Sequence, residues 1–223
     1  CGVFSFQESK NIMTGEGGML LTDDEEIVNL ARMVRNHGEV VAQTEERTYK
    51  SEFLGWGYRM TELEAAFGVA QTSKMDFLNN ERIKLVEFLS KEINKIDGLS
   101  HTKYDFVKHV YYVFAFSFNE DKIGIPRDVF CSALNAEGIP CSAGYVRPLY
   151  LNPLYTERRA FAFKHYSGTA KYEKGLCPVT ESLYEKELIL FDICRYPATL
   201  EDMQDIIDSI HKILANKSEI NKV

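Results

Sequence analysis

Val3-Phe4-Ser5-Phe6-Gln7-Glu8-Ser9-Lys10-Asn11-Ile12-Met13-Thr14-Gly15-Glu16-Gly17-Gly18 reads as a short alternating strand, a lysine-bearing turn and a glycine-rich run. Phe4 and Phe6 alternate with Ser5 and Gln7, so period-two geometry sends the aromatic pair and the polar pair to opposite faces. Lys10 falls in the turn just past the strand. A lysine amine becomes a nucleophile toward carbonyls when desolvation or a neighbouring cation lowers its pKa. A lone turn lysine is ordinarily solvated, so the reading of Lys10 rests on the whole string around it. Gly15 to Gly18 let the backbone turn tightly, and Met19 to Leu21 form the next strand.

Outward from this stretch the elements alternate. Asp23 or Asp24 can cap a helix whose apolar residues Ile27, Leu30, Ala31 and Val34 recur at helical spacing and which closes at Gly38. Glu39 to Leu54 is polar and reads as a loop. Thr61 and Glu64 form a Thr-x-x-Glu capping box. The stripe Leu63, Phe67, Ala70, Leu78, Leu85, Leu89, Ile93 and Ile96 then predicts one spanning helix, or two with a bend around Met75 to Asn80, ended by Gly98. Val110 to Ser117 is aromatic and β-branched and predicts a well-buried strand. Pro126 suits the first turn of a helix carrying Val129, Ala133 and Leu134, with Gly138 past its end. Ile139 to Ala143 reads as another strand. Thr199 opens a final helix with Met203, Ile206, Ile207, Ile210 and Leu214 on one face, and the tail after Asn216 reads as frayed. Strand, helix, strand and helix together describe a small α/β layer.

Composition narrows the function classes. A chain of 223 residues with 45% hydrophobic residues can fill one large or two small cores. Its apolar runs are far shorter than the roughly 20 residues of a membrane span. A net charge of −7 lacks the basic footprint of a nucleic-acid binder. Cys1, Cys131, Cys141, Cys177 and Cys194 are widely and irregularly spaced, and with the scattered histidines they match no zinc-ligand pattern. Reduced cysteines in a cytoplasmic protein are the reading this favours.

The opening stretch resembles the Schiff-base segment of the DegT family of sugar aminotransferases. There the pattern is Phe-Ser-Phe, three residues, Lys, a short variable run, Gly-Glu-Gly-Gly and a strand ending in Thr-Asp. Phe4-Ser5-Phe6, Lys10, Gly15 to Gly18 and Met19 to Asp23 supply each part. Arg35-Asn36-His37-Gly38, Gly57-Tyr58-Arg59-Met60-Thr61-Glu62-Leu63-Glu64, Gly138-Ile139-Pro140 and Pro148-Leu149-Tyr150 extend the likeness over nearly the whole chain. The resemblance implies an α/β fold: the end of a large pyridoxal-phosphate-binding domain of the aspartate aminotransferase type (1–60), an interdomain helix (61–97) and a smaller α+β C-terminal domain (98–223). The family's first half has no counterpart in these residues, so the chain reads as the C-terminal portion of a larger enzyme. That half supplies the carboxylate and the aromatic residue that hold the cofactor ring.

What the resemblance implies about chemistry attaches to particular residues. Lys10 would anchor pyridoxal 5′-phosphate and serve as base, Ser5 would bond its phosphate, and Gln7 would flank it. At the Gln7 position many sugar aminotransferases of the family carry histidine, whereas glutamine resembles a branch acting on cyclitols or making aminohydroxybenzoate. Asn36 matches an asparagine that reaches the phosphate in the neighbouring subunit of a homodimer, and also suits a helix end. Tyr145, Arg147 and Tyr150 match a loop that faces substrate, although the residue type of Arg147 favours an exposed salt-bridging arginine over a substrate contact. The implied reaction moves an amino group from glutamate or glutamine to a keto sugar, nucleotide-linked, or to a cyclitol. Family members that dehydrate deoxysugars carry histidine where Lys10 stands. The alternative is a non-catalytic fragment or a regulatory module whose pocket is incomplete.

Overall fold

A computed structural model describes residues 1–40 and 49–220. Of the polar loop expected over 39–54, residues 41–48 therefore lie outside the described residues. The chain divides into two compact units, Cys1–Phe77 and Leu78–Val223.

In the first unit, β1 (Gly2–Ser5) pairs antiparallel with β2 (Gly18–Leu21), placing Phe4 opposite Met19 and Ser5 opposite Gly18. Strand β1 is open, with Val3 76% and Phe4 52% exposed. Among the described residues the ribbon stays two-stranded, with no third strand paired to either edge. Helix α1 (Glu25–Arg35) starts at Asp24, whose carboxylate accepts from the Glu26 and Ile27 amides. Gly38 N returns to Met33 O at 2.8 Å and ends it. The Thr61–Glu64 capping box is present at the head of α2 (Glu62–Thr72), and α3 (Met75–Ile93) follows after a break at Ser73 and Lys74. The long stripe is thus two helices.

The second unit is built on a four-stranded antiparallel sheet in the order β3-β4-β6-β5, from β3 (Leu99–Ser100), β4 (Phe114–Phe118), β5 (Ser142–Ala143) and β6 (Leu188–Phe191). In β4 the pleat turns Phe114, Phe116 and Phe118 into the core and leaves Ala115 and Ser117 half-buried on the other face. The strand begins at Phe114, later than the expected Val110, because Tyr111 takes a φ of 46° that no ladder accommodates. Of the expected strand from Ile139 to Ala143, Ser142 and Ala143 alone pair. β6 sits against β4 with Phe114 opposite Phe191, and the Phe116 and Phe191 rings lie 5.3 Å apart.

Helices cover this sheet. Leu85, Val86, Leu89 and Ile93 come from α3. After the short α4 (Glu120–Ile123), α5 (Arg127–Ala136) adds Phe130 and Leu134, starting just after Pro126 and passing Gly138 beyond its end. α6 (Pro153–Thr156) and α7 (Pro178–Ser182) are single turns, and a π-helical turn spans Leu183–Glu187. Buried Arg127 reaches that turn, donating to Tyr184 O at 2.8 Å and Glu185 O at 2.9 Å, which satisfies carbonyls a helix end leaves open. α8 (Leu200–Ala215) is capped by Thr199 and Asp202 and buries Met203, Ile206, Ile207, Ile210 and Ile213, with Leu214 beside them. The tail is not frayed directly after Asn216: α9 (Lys217–Ile220) continues, and Lys217 Nζ donates to Ile123 O at 2.8 Å. No helix among the described residues is long and apolar enough to cross a membrane.

Candidate active site

The segment after β1 folds back on the glycine run. Phe6 N donates to Gly17 O at 2.9 Å, Thr14 N donates to Phe6 O at 2.8 Å, and Gln7 bridges to Gly15. Lys10 N donates to Gln7 O at 2.9 Å, closing a turn that carries the half-buried Lys10 side chain. The Gln7 amide donates to Ser5 Oγ at 3.3 Å, and Gln7 Oε1 accepts from Ser9 N at 3.0 Å. Ser5, Gln7 and Lys10 are thereby held in one short, hydrogen-bonded stretch. Buried Thr14 closes it from behind, its hydroxyl donating to Glu16 O. Gly17 has a φ of 140°, and a Cβ there would stand 2.8 Å from Thr14 Oγ1 and 3.0 Å from Met60 Cε. This glycine is required by both backbone angle and space.

Asn36 forms a second group in the same unit, at the C-terminal end of α1. Arg59 Nη1 donates to Asn36 Oδ1 at 2.6 Å, and Asn36 Nδ2 donates to Glu39 Oε2 at 3.3 Å. The 57–59 segment is laid beside Asn36 by backbone bonds from His37 N to Trp56 O and from Tyr58 N to Arg35 O, each 3.0 Å. Gly38 permits this approach: at its φ of 72° a Cβ would fall 1.8 Å from Phe53 O. Arg59 and Glu39 escaped the sequence reading as partners of Asn36. The Gly57-Tyr58-Arg59 motif was its one signal.

Tyr145, Arg147 and Tyr150 belong to the second unit, on the segment after β5. A hydrogen bond with Tyr112 pushes the Tyr145 phenol above its ordinary pKa. Arg147 is exposed, and among the described residues it makes no ion pair. Tyr150 is tied inward, its hydroxyl donating to Glu181 Oε1 and accepting from Cys177 N at 3.3 Å. Desolvation and the Glu181 bond push its phenol up to about 12. The same bond holds the Glu181 carboxyl below the usual carboxylate range, helped by the Gly175 amide at 2.7 Å. No local pattern links Tyr150 to Glu181, so their pairing was invisible in the sequence.

Within the six residues Ser5–Lys10 the chain offers a hydroxyl, a carboxamide and a primary amine. That donor set fits pyridoxal phosphate, whose aldehyde takes an amine and whose phosphate takes hydroxyl and amide donors. The ring's other contacts are not among these residues.

Comparison with known proteins gives one consistent answer. An uncharacterized protein of Methanocaldococcus jannaschii is 32% identical over 222 residues, which is 95% of this chain and 53% of that protein. A Streptoalloteichus tenebrarius protein, whose assigned name is L-glutamine:3-amino-2,3-dideoxy-scyllo-inosose aminotransferase, is 29% identical, covering 96% of this chain and 53% of its own length. The X-ray structure of an aminotransferase from Psychrobacter cryohalolentis superposes with a TM-score of 0.80 at 24% identity, over 96% of this chain and 56% of that one. The chain spans about half the length of the curated relatives it matches. The sequence pattern of the DegT/DnrJ/EryC1/StrS aminotransferases matches residues 1–211, and the chain belongs to that family.

Proposed function

We propose that this chain is the lysine-bearing part of a pyridoxal-phosphate aminotransferase that carries an amino group from glutamate or glutamine to a keto sugar, nucleotide-linked, or to a cyclitol. The observation that carries the reading is the Lys10 turn, with Ser5 and Gln7 beside it in a chain of this family. When bound, the cofactor supplies an electron sink that stabilises negative charge at the substrate carbon. Lys10 Nζ would hold the cofactor's aldehyde, and the same amine would take and return the substrate-carbon proton. Ser5 Oγ holds the phosphate, and Gln7 sets the polar edge of the pocket. Asn36, fixed by Arg59 and Glu39, serves the neighbouring site of a homodimer. Tyr145 and Arg147 meet the sugar substrate, while Tyr150, anchored by Glu181, keeps their loop in place. On this reading residues 1–60 close the large domain, 61–97 link, 98–223 form the small domain, and the enzyme works in the cytoplasm.

Gln7, together with the glutamine donor in the name of the Streptoalloteichus tenebrarius relative, favours glutamine as donor. A second reading has its own observation: the open faces of β1 and β2 leave the pocket without walls from this chain, so the isolated chain would be inert. The test is reductive trapping. Full-length protein treated with pyridoxal phosphate and borohydride, then digested, is expected to carry the cofactor on Lys10 and to lose both label and amino transfer in Lys10→Ala. Label spread over other lysines, or transfer surviving in Lys10→Ala, would overturn the proposal. The same trapping on the isolated chain decides whether it binds cofactor alone.

A further inference from the structure

Cys131, in the middle of α5, and Cys141, just before β5, come together in the second unit although nine residues of helix and turn lie between them. Cys141 Sγ lies 3.5 Å from Cys131 O. Asn135 clamps the pair: its Nδ2 donates to Cys131 O at 2.9 Å and to Cys141 O at 3.2 Å, and lies 3.6 Å from Cys141 Sγ, while its Oδ1 accepts from Cys141 N at 3.2 Å. Both thiols are free; Cys131 is buried and Cys141 half-buried. Cys141 is thus the more accessible of the two, and its thiol donates to the backbone carbonyl of the more deeply buried Cys131.

We propose that Cys141 and Cys131 form an oxidisable dithiol site, in which Cys141 reacts with hydrogen peroxide and Cys131 resolves the product as an intramolecular disulfide. The Cys141 thiolate attacks one peroxide oxygen, so an S–O bond forms, the O–O bond breaks, and the departing oxygen takes a solvent proton and leaves as water. Cys131 sulfur then attacks Cys141 sulfur. An S–S bond forms, the S–O bond breaks, and the second oxygen leaves as water with the Cys131 proton. Each cysteine gives up one electron and the peroxide accepts two.

The electrostatics run the same way. The hydrogen bond from Cys131, aided by Asn135, lowers the Cys141 pKa below that of an ordinary thiol, and its counterpart raises Cys131. This is the division of labour expected of an attacking and a resolving cysteine. Cys194 gives an internal control, since burial pushes its thiol up to about 12 and leaves it inert. The bond would fasten the segment entering β5 to α5, three residues before Gly144 and four before Tyr145.

The experiment exposes the full chain to hydrogen peroxide, blocks remaining thiols with iodoacetamide, and maps the digest by mass spectrometry. The expected product is a Cys131–Cys141 cross-linked pair two hydrogens lighter than the reduced peptides, with iodoacetamide labelling of both cysteines lost together. In Cys131→Ser, dimedone should trap a sulfenic acid on Cys141, whereas Cys141→Ser should leave Cys131 unmodified. Should Cys131→Ser not fold, the wild-type map decides alone. Retention of both iodoacetamide labels under peroxide that already oxidises exposed Cys1 would overturn the proposal, as would cross-links that pair either cysteine with another partner.

Discussion

The two units of this chain are held together by different means. The second has a continuous apolar core in which Phe114, Phe130, Leu134, Phe191, Met203 and Ile210 are fully buried. The first, among its described residues, buries Thr14, Gly38 and Glu39 and no large apolar side chain. Leu63, Val69 and Leu54 there are 85%, 75% and 87% exposed. Burial is the dominant favourable term in folding, so the second unit carries stability and the first carries the lysine turn on capping bonds, glycine turns and backbone ladders. A reactive segment need not be the stable one.

Trp56 is the sole tryptophan and lies in the first unit, so its fluorescence reports that unit while circular dichroism reports helices of both. The largest expected effect is Phe191→Ala, which removes a ring from the centre of the second core and should cost about 3–5 kcal/mol. Urea unfolding followed by circular dichroism should show that loss while the Trp56 signal keeps its midpoint. Coincident shifts of both signals would erase the contrast between the units. Thr61→Ala is expected to cost about 1 kcal/mol by removing a capping box. Here amide exchange should accelerate across the first turn of α2, and the dichroism midpoint should stay put. A global midpoint shift would show that α2 is coupled to the core. The smallest effect belongs to Leu63→Ser, expected within about 0.5 kcal/mol because an exposed side chain loses little when truncated. A cost above about 1.5 kcal/mol would reveal burial of Leu63 in solution.

Much of the local architecture was legible in the residues. The capping box at Thr61, the helix opened at Thr199 and the glycine-ended α1 followed from a few neighbouring groups that settle their own hydrogen bonds. β6 went unread: Leu188 to Phe191 is four apolar residues, too short for periodicity to distinguish from helix or loop, and it becomes a strand by pairing with β4. Two helices were one of the two readings, but the break falls at Ser73 and Lys74, just before the Met75 to Asn80 stretch where a bend was expected, which is helical.

At the site the division falls in the same place. The Lys10 turn is local, written in glycines, a serine and a glutamine within a few residues of one another, and the sequence alone determined it and with it the family. Only the tertiary structure decided that Arg59 and Glu39 grip Asn36, that Glu181 anchors Tyr150, and that the Cys141 thiol meets the Cys131 carbonyl. Those contacts depend on where helices and strands dock. Docking is governed by burial summed over many side chains, whereas a turn is governed by the dihedral and hydrogen-bonding preferences of the residues inside it.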